Sequence, residues 1–171
     1  MGDLSKHFSK REFACKCGKV HEFTMDGELI DKLEKLHALT NARAIYITSG
    51  YRCPAHSKSV GGYMNDAHTK GIAADITITL QDGKSLSGDK IAEGAERVGF
   101  SGIGIISDTA CHVDVRNSKN YVNSHWFGDE RTGNDNISTF QKGTVFDGEK
   151  AAYKHKIKVY YDDTLIIERE V

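Results

Sequence analysis

Two histidines and an aspartate are spaced so that their side chains can hold a metal ion. His68 lies seven residues before Asp75, across a segment that contains a glycine, and His112 follows further along the chain. Two imidazoles and a carboxylate, with the fourth position open, form a ligand set of catalytic zinc. Zinc held in this way lowers the pKa of water and polarises a carbonyl, which suits amide hydrolysis. From spacing alone, the alternative is that these are unrelated surface or core residues.

Two short strands are predicted to position the aspartate and the second histidine. Residues 73–80 alternate between polar and apolar side chains, so Asp75 lies on a polar face opposite an apolar one. Residues 111–116 alternate in the same way and place His112 and Asp114 on one face. Each strand therefore has one side for a core and one side for ionisable groups.

The remaining pattern predicts an α+β fold with a mainly antiparallel sheet, flanked by helices and carrying the zinc site on one face. Apolar residues at three- and four-residue spacing predict a helix over 26–40, and a second helix is predicted from Ser87 to Gly99. Further strands are predicted at 44–48, 103–106, 156–161 and 164–169, the last two forming a hairpin.

The composition is that of a folded globular protein and excludes several function classes. The chain has 171 residues, 39% hydrophobic and 27% charged, with a formal net charge of −1. Nucleic-acid-binding proteins and proteins that bind anionic membranes usually carry a basic excess, so we expect neither partner. No apolar run is long enough to span a membrane. The N-terminal residues lack the apolar stretch of a signal peptide, so synthesis in the cytoplasm is expected.

The four cysteines do not form the paired C-x-x-C units of a common structural zinc site. Three interpretations of Cys15, Cys17, Cys53 and Cys111 stay open. They are free or buried thiols, a disulfide such as Cys15 to Cys53, or a small second metal site formed by Cys15, Cys17 and His21. Because a reducing compartment is expected, the disulfide is disfavoured.

Three motifs occur in a fixed order around the candidate ligands. They are SGYR at 49–52, HTKGIAAD at 68–75 and HVDVR at 112–116. Together they resemble the zinc D-alanyl-D-alanine carboxypeptidase family, which includes the vancomycin-resistance D,D-peptidases and several phage endolysins. Residues 4–18 also resemble the N-terminal segment of the branch found in phages and their hosts. The resemblance covers about residues 3 to 127 and divides the chain into a zinc peptidase domain, 1–127, and a C-terminal extension of polar loop plus hairpin, 128–171.

The resemblance implies that His68, Asp75 and His112 bind one zinc ion per chain. It also implies that Arg52 binds the substrate through a carboxylate or carbonyl group, because a guanidinium pairs with a carboxylate in bidentate fashion. Trp126, with the preceding His125, is predicted to border the substrate groove. His56 is predicted to line the cleft and stabilise the oxyanion, with a surface histidine as the alternative.

The chain departs from the family pattern at two positions. Asp66 replaces the serine of the S-x-H motif and adds a carboxylate near the metal loop. Thr109 stands where many members have the acidic general base, three residues before the last ligand. We therefore predict that Asp108 is the base, brought to the site by a bulge in the turn, with Asp114 as the other candidate. Asp114 is equally suited to orienting a ligand, and a site without any competent base is the third possibility.

These features predict a zinc metallopeptidase that hydrolyses an amide bond in peptidoglycan stem peptides, as a carboxypeptidase or an endolysin-type endopeptidase. A phage or prophage origin is expected, with the enzyme acting at the cell wall after lysis-type release or as a virion component. A monomer is favoured. The alternative is a non-catalytic, zinc-containing module that binds the cell wall or serves as a phage structural protein, because the acid before His112 is missing.

Overall fold

A five-stranded sheet forms the centre of the fold in the computed structural model, which describes residues 2–119, 125–149, 157–161 and 164–169. Its strands are β1 (Ala42–Ser49), β2 (Ala73–Leu80), β3 (Gly102–Ser107), β4 (Ala110–Asp114) and β5 (Trp126–Asp129). They are ordered β1-β2-β4-β3-β5, antiparallel except for the parallel pair β3 and β5. The predicted α+β class is confirmed, and the sheet is mixed, with its parallel pair at one edge.

Three α-helices accompany the sheet: α1 (Gly27–Leu39), α2 (Pro54–Ser59) and α3 (Gly88–Arg97). The side chain of Asp26 accepts a hydrogen bond from the first turn of α1, and Ser87 does the same for α3, which satisfies amide groups that a helix start leaves unpaired. Among the described residues, no helix is both long enough and apolar enough to cross a bilayer.

The hydrophobic core lies between one face of the sheet and the helices α1 and α3. α3 contacts β2, β3 and β4, and α1 contacts β1 and α3. The Cys111 thiol donates to the Gly88 carbonyl of α3 at 3.1 Å, so the side of β4 that bears Cys111 faces the helices. Residues on this face are fully buried: Ile76, Ile78, Ile103, Ile105, Cys111 and Val113. By strand alternation, Asp75 and His112 project from the opposite face.

Two elements near the site were not predicted from the sequence. No helix is predicted between residues 48 and 73, but α2 begins at Pro54 because proline suits the first position of a helix. β5 was not predicted because it is only four residues long and contains Gly128, which weakens the pattern of a strand. A short hairpin is formed by β6 (Ile157–Tyr161) and β7 (Thr164–Arg169), close to the predicted bounds.

The segment that follows β5 is attached to α3 through a buried carboxylate. Glu93 is 2% exposed and accepts hydrogen bonds from the backbone amides of Lys142 and Thr144 at 3.1 and 2.8 Å, and from Arg97 at 3.3 Å. Phe140 and Phe146 of the same segment are buried. Residues 130–149 are thus held against α3, whereas the division into domains at residue 127 stays a prediction.

Glu93→Gln is expected to lower the free energy of unfolding at neutral pH by about 1–3 kcal/mol, the usual effect of losing hydrogen bonds to a charged group. Burial alone would raise the pKa of Glu93, but its bonds to Thr144, Lys142 and Arg97 lower that pKa below 4.5. A depressed carboxyl pKa stabilises the fold above the unfolded value and loses that contribution as the pH falls through the folded value.

Urea denaturation of both proteins therefore gives the largest difference near neutral pH and a smaller one in acid. Asp31→Asn is the control, because Asp31 is exposed on α1 and should change the unfolding free energy by less than about 0.5 kcal/mol. A difference between wild type and Glu93→Gln that does not depend on pH would contradict the role given to the carboxylate charge.

Candidate active site

Three potential metal ligands meet on the sheet face opposite the helices. Asp75 on β2 and His112 on β4 are direct cross-strand partners, and His68 comes from the loop that precedes β2. The His112 Nδ1 atom lies 2.9 Å from Asp75 Oδ1 and 3.1 Å from His68 Nε2. The third side of this triangle, from His68 Nε2 to Asp75 Oδ1, measures 3.2 Å. The structure thus brings together the three residues that the sequence analysis singled out.

The triangle fits a zinc ion in both size and chemistry. Ligand atoms about 2.0–2.1 Å from a tetrahedral zinc lie about 3.3 Å from one another, close to the three distances in this site. The free nitrogen of each imidazole is fixed by a hydrogen bond at the other nitrogen. His68 Nδ1 donates to the Gly50 carbonyl at 2.7 Å, and His112 Nε2 donates to Asp114 at 3.0 Å. When both imidazoles are neutral, lone pairs on His68 Nε2 and His112 Nδ1 therefore converge with a carboxylate oxygen on one point.

Carboxylates around the histidines set the electrostatics of this site. Burial alone would raise the pKa of Asp75, but its bonds to His112 and His68 hold that pKa well below the usual range. The pKa of Asp114 is likewise low, because hydrogen bonds from His112 and Arg116 outweigh its burial. For His112, burial would lower the pKa, but Asp114 and Asp75 raise it to about 9. The protonated, positively charged form of His112 is thus favoured, and a metal ion must displace a proton from its imidazole to bind there.

Arg52 directly contacts one of the three candidate metal ligands His68, Asp75 and His112, which we call the triad. Its Nη2 donates a hydrogen bond to Asp75 Oδ2, the carboxylate oxygen that does not face the histidines, and its Nε donates to Ser49 at 2.8 Å. The guanidinium therefore orients a metal ligand and, at the same time, lines the cavity above the triad. Substrate binding by Arg52 stays a prediction.

Glycines on β3 make room for the site. A Cβ atom on Gly102 would lie 2.1 Å from the Asp114 carboxylate, and one on Gly104 would lie 2.7 Å from the Trp126 ring. The Trp126 indole also leaves no space for a side chain at Gly128. Its ring centroid lies 6.1 Å from that of His112, with the rings nearly perpendicular. These glycines let Asp114 and Trp126 lie flat against the sheet beside the triad.

A cavity of about 830 Å³ opens above the three ligands, which is within the usual range for ligand sites. Arg52 and Trp126, which the sequence analysis predicted near the substrate, line it, and Arg116 does as well. The remaining lining residues, apart from the triad, are Val60, Gly61, Gly62, Tyr63, Asp66, Ala67, Ile106, Glu130 and Asp135.

Three other predicted site residues lie outside this cavity. The side chain of Asp108 is 95% exposed on the turn between β3 and β4 and pairs with Arg131 at 3.3 Å, so the expected bulge does not bring it to the triad. Asp114 is fully buried and faces the far nitrogen of His112, which is the arrangement of a residue that orients a ligand. His56 lies on α2, next to Ser59, and does not line the cavity.

Asp66 has a local structural role in the loop that carries His68. Its carboxylate accepts hydrogen bonds from the Thr69 amide at 2.9 Å and from the Ser57 hydroxyl. These bonds close the turn around His68 and join it to α2. Asp66, which departs from the S-x-H motif, is therefore a hydrogen-bond acceptor that stabilises the loop carrying His68.

Sequence reasoning missed the acidic residues on the far wall of the cavity. Trp126, Gly128 and Glu130 alternate on the face of β5 that bears the site, and Asp135 follows in the next loop. No motif marks Glu130 or Asp135, because their position depends on the parallel pairing of β5 with β3. Only the alternation that starts at Trp126 could have indicated that Glu130 shares a side with the indole.

The family profile described as Peptidase M15 matches residues 6–114, well over half of the chain. The chain belongs to the peptidase M15 family. This membership confirms the resemblance seen in the sequence motifs, and the matched region ends at Asp114, after all three candidate ligands. No curated protein matches the chain at a significant level.

Among solved structures, this M15 family member is similar to the L-Ala D-Glu endopeptidase ChiX of Serratia marcescens. The sequence identity is 13% and the TM-score is 0.41, over 53% of this chain and 79% of the other.

Asp114→Asn is expected to weaken zinc binding by about 10–100-fold, the usual effect of removing the hydrogen-bond partner of a ligating histidine. The reason is that Asp114 fixes the tautomer and orientation of His112. Competition with a chelating dye measures the affinity, and circular dichroism shows whether the variant is folded.

Asp129→Asn is a matched control. Asp129 accepts bonds from the amide and guanidinium of Arg131, two residues on, as Asp114 does from Arg116, but no bond joins it to the triad among the described residues. Equal loss of zinc affinity in both variants would mean that Asp114 acts through the fold and not through His112.

Proposed function

We propose that this M15 family member is a zinc-dependent peptidase that hydrolyses an amide bond in peptidoglycan stem peptides. The observation that carries the proposal is the triangle of His68, Asp75 and His112, whose facing atoms lie 2.9–3.2 Å apart beneath a cavity of about 830 Å³. Membership of the peptidase M15 family supports the reaction class. The substrate class rests on the motifs that resemble D-alanyl-D-alanine carboxypeptidases.

His68, Asp75 and His112 would hold the ion. When bound there, zinc supplies Lewis-acid polarisation of the scissile carbonyl and lowers the pKa of water. Arg52 keeps the Asp75 carboxylate turned toward the histidines through its bond to Oδ2. Asp114 keeps His112 in the tautomer whose lone pair is on Nδ1. These two residues thus prepare the ligand set before a substrate arrives, which avoids reorganisation during the reaction.

The walls of the cavity carry two arginines, each also paired with a carboxylate of the site, and the acidic residues Asp66, Glu130 and Asp135. Arg52 and Arg116 place two guanidinium groups at the wall, and the Arg116 group lies 5.3 Å from the centre of the Trp126 ring. Planar guanidinium groups bind carboxylates well. At the rim, Val60 is 53% and Tyr63 is 82% exposed, and these side chains offer apolar contacts for the methyl groups of alanine residues.

A phage or prophage enzyme that reaches the cell wall after lysis-type release, or as part of the virion, is the origin we propose. The support is the resemblance of residues 4–18 to the branch found in phages and their hosts. Both a carboxypeptidase and an endopeptidase are compatible with the ligand set, because the two activities differ in the shape of the cleft and not in the metal ligands.

Glu130 is the residue we propose as proton acceptor for the attacking water. It lines the cavity and is exposed, on the side of β5 that carries Trp126. Asp66 also lines the cavity but is engaged by Ser57 and Thr69. Glu130 therefore replaces Asp108 as our candidate base, since Asp108 pairs with Arg131 outside the cavity.

A second candidate function is a zinc-containing module that binds peptidoglycan without cleaving it. The position of Asp108 favours this alternative, because the acid predicted just before His112 does not line the cavity. Activity measurements separate the two functions.

Purified protein supplied with zinc is expected to release peptides or new amino groups from peptidoglycan, and His68→Ala is expected to abolish the release, because it removes one of three metal ligands. Mass spectrometry of the digested wall identifies the bond that is cut. His37→Gln, on α1 and stacked on His7, should retain full activity. Tight zinc binding by an inactive wild-type protein would favour the binding module.

Glu130→Gln is expected to lower kcat/KM by about 10²–10⁴-fold, the usual contribution of a general base, and to remove the acidic limb of the pH profile. The zinc content should stay that of wild type. Asp108→Asn provides the comparison, since it removes a carboxylate from the neighbouring turn. A Glu130→Gln protein with an unchanged pH profile would exclude Glu130, and a loss confined to Asp108→Asn would restore the base predicted from the sequence.

A further inference from the structure

A second group of metal-binding side chains lies outside the active site. Cys15, Cys17 and His21 from the N-terminal segment meet Cys53, the residue that follows Arg52. One potential ligand atom from each of the four side chains lies within 4.8 Å of all the others. We call these four residues the cysteine cluster.

We propose that the cysteine cluster binds a second zinc ion with a structural role. Three thiolates and one imidazole form a complete tetrahedral set, and structural zinc sites have four protein ligands and no open position. From the sequence alone, a site formed by Cys15, Cys17 and His21 is one of three possibilities for the cysteines, and one zinc ion per chain is expected. The fold adds Cys53, which completes the set.

The spacing within the cysteine cluster is close to that of a zinc site. Sulfur atoms about 2.3 Å from a tetrahedral zinc lie about 3.8 Å from one another, which is inside the 4.8 Å limit that the four ligand atoms satisfy. His21 directs its Nε2 to Cys17 at 2.9 Å. Its imidazole nitrogen is therefore in contact with one of the three sulfurs.

Backbone geometry brings the first two thiols together. Cys15 and Cys17 are separated by one residue, and Gly18 follows with a positive φ of 79°, a conformation that glycine adopts without strain. The chain turns there and returns to His21. The backbone amide of Cys53 donates to the Cys15 sulfur at 3.3 Å, and such amide donors stabilise the negative charge of a metal-bound thiolate.

Contacts between distant parts of the chain place Cys53 beside the other three. The Tyr51 amide donates to the Phe13 carbonyl at 2.8 Å. A Cβ atom on Gly50 would lie 2.5 Å from Phe13 Cα, so the two segments approach closely. The buried side chain of Phe13 fixes the N-terminal segment in this position.

A disulfide explains the cysteine cluster less well. A bond between Cys15 and Cys53 involves two sulfurs and does not account for the third thiol and the imidazole beside them. A zinc ion would bind all four side chains. All four side chains are partly exposed, so an ion can enter from solvent. Each thiol that binds zinc releases its proton to solvent, giving three protons for one ion.

The proposed ion links the N-terminal segment to the loop that serves the active site. Cys53 is adjacent to Arg52, whose guanidinium holds Asp75, and the Gly50 carbonyl accepts the bond from His68. The ion would therefore help to hold residues 50–53 in place through Cys53. The inference does not depend on the proposed peptidase function, because it concerns a separate set of ligands.

Metal analysis of four proteins tests the proposal. Wild type, prepared with excess zinc and then freed of loosely bound metal, is expected to contain two zinc ions per chain by plasma mass spectrometry. The His68→Ala/His112→Ala protein should retain one ion, and so should Cys17→Ser/Cys53→Ser. Cys111→Ala is the matched control and should keep both, because Cys111 is buried against α3 and lies outside the cysteine cluster.

X-ray absorption at the zinc edge of the His68→Ala/His112→Ala protein identifies the ligands of the remaining ion. We expect about three sulfur neighbours at about 2.3 Å and one nitrogen neighbour. This result would stand even if the wild-type protein were inactive on peptidoglycan, so failure of the two proposals can be told apart.

Several results would overturn the second site. One is the absence of zinc from the His68→Ala/His112→Ala protein while circular dichroism shows that it is folded. Another is the loss of two titratable thiols that a reductant restores, which indicates a disulfide. A shell of oxygen and nitrogen without sulfur would also exclude the cysteine cluster as the site of the remaining ion.

Discussion

The cross-strand pairing of Asp75 with His112 is the constraint on which the site depends. These residues are opposite each other on β2 and β4, and a shift of one residue in either strand would turn the side chain to the helix-covered face. The buried residues on that face, such as Ile76 and Val113, prevent such a shift because each would have to leave the core. Hydrophobic packing on one side of the sheet therefore sets the position of the metal ligands on the other.

Around this pair, each ligand is held by a partner of its own. Arg52 fixes the second oxygen of Asp75, Asp114 fixes the remote nitrogen of His112, and a backbone carbonyl fixes that of His68. The negative charge of the two carboxylates is balanced by guanidinium groups from Arg52 and Arg116. Buried charges are tolerated here because every one of them is paired.

The sequence predicted the parts of this arrangement that depend on local periodicity. Strand β2 was predicted with its observed bounds, and α1 to within one residue at each end, because alternation and a 3.6-residue spacing are properties of adjacent residues. The three candidate ligands were proposed from motifs within short segments and the family resemblance that these motifs carry, and the structure places their side chains together. Cys53 and Glu130 were missed as site residues because each reaches its place through contacts with segments far away in the chain. The position of Asp108 beside Arg131 and outside the cavity could not be predicted for the same reason, since this pairing depends on residues beyond β5.

The loop 50–53 lies between the two groups of candidate metal ligands. Its Gly50 carbonyl and Arg52 guanidinium contact the triad, while Cys53 belongs to the cysteine cluster. Short loops without secondary structure are usually the more mobile parts of a fold. Contacts with the triad and within the cysteine cluster explain how such a loop can hold the candidate ligands Asp75 and His68 within a narrow range of positions.

The attachment of residues 130–149 to α3 fixes one wall of the cavity through residues that lie outside the family match. The Peptidase M15 match ends at residue 114, whereas Trp126, Glu130 and Asp135, which form one wall of the cavity, come after it. Glu93 holds this later segment by bonds to its backbone, which do not depend on the side chains that face the cavity. Substitutions at Trp126 or Asp135 would therefore change this wall of the cavity while the candidate ligands, their supports and the anchoring carboxylate stay in place.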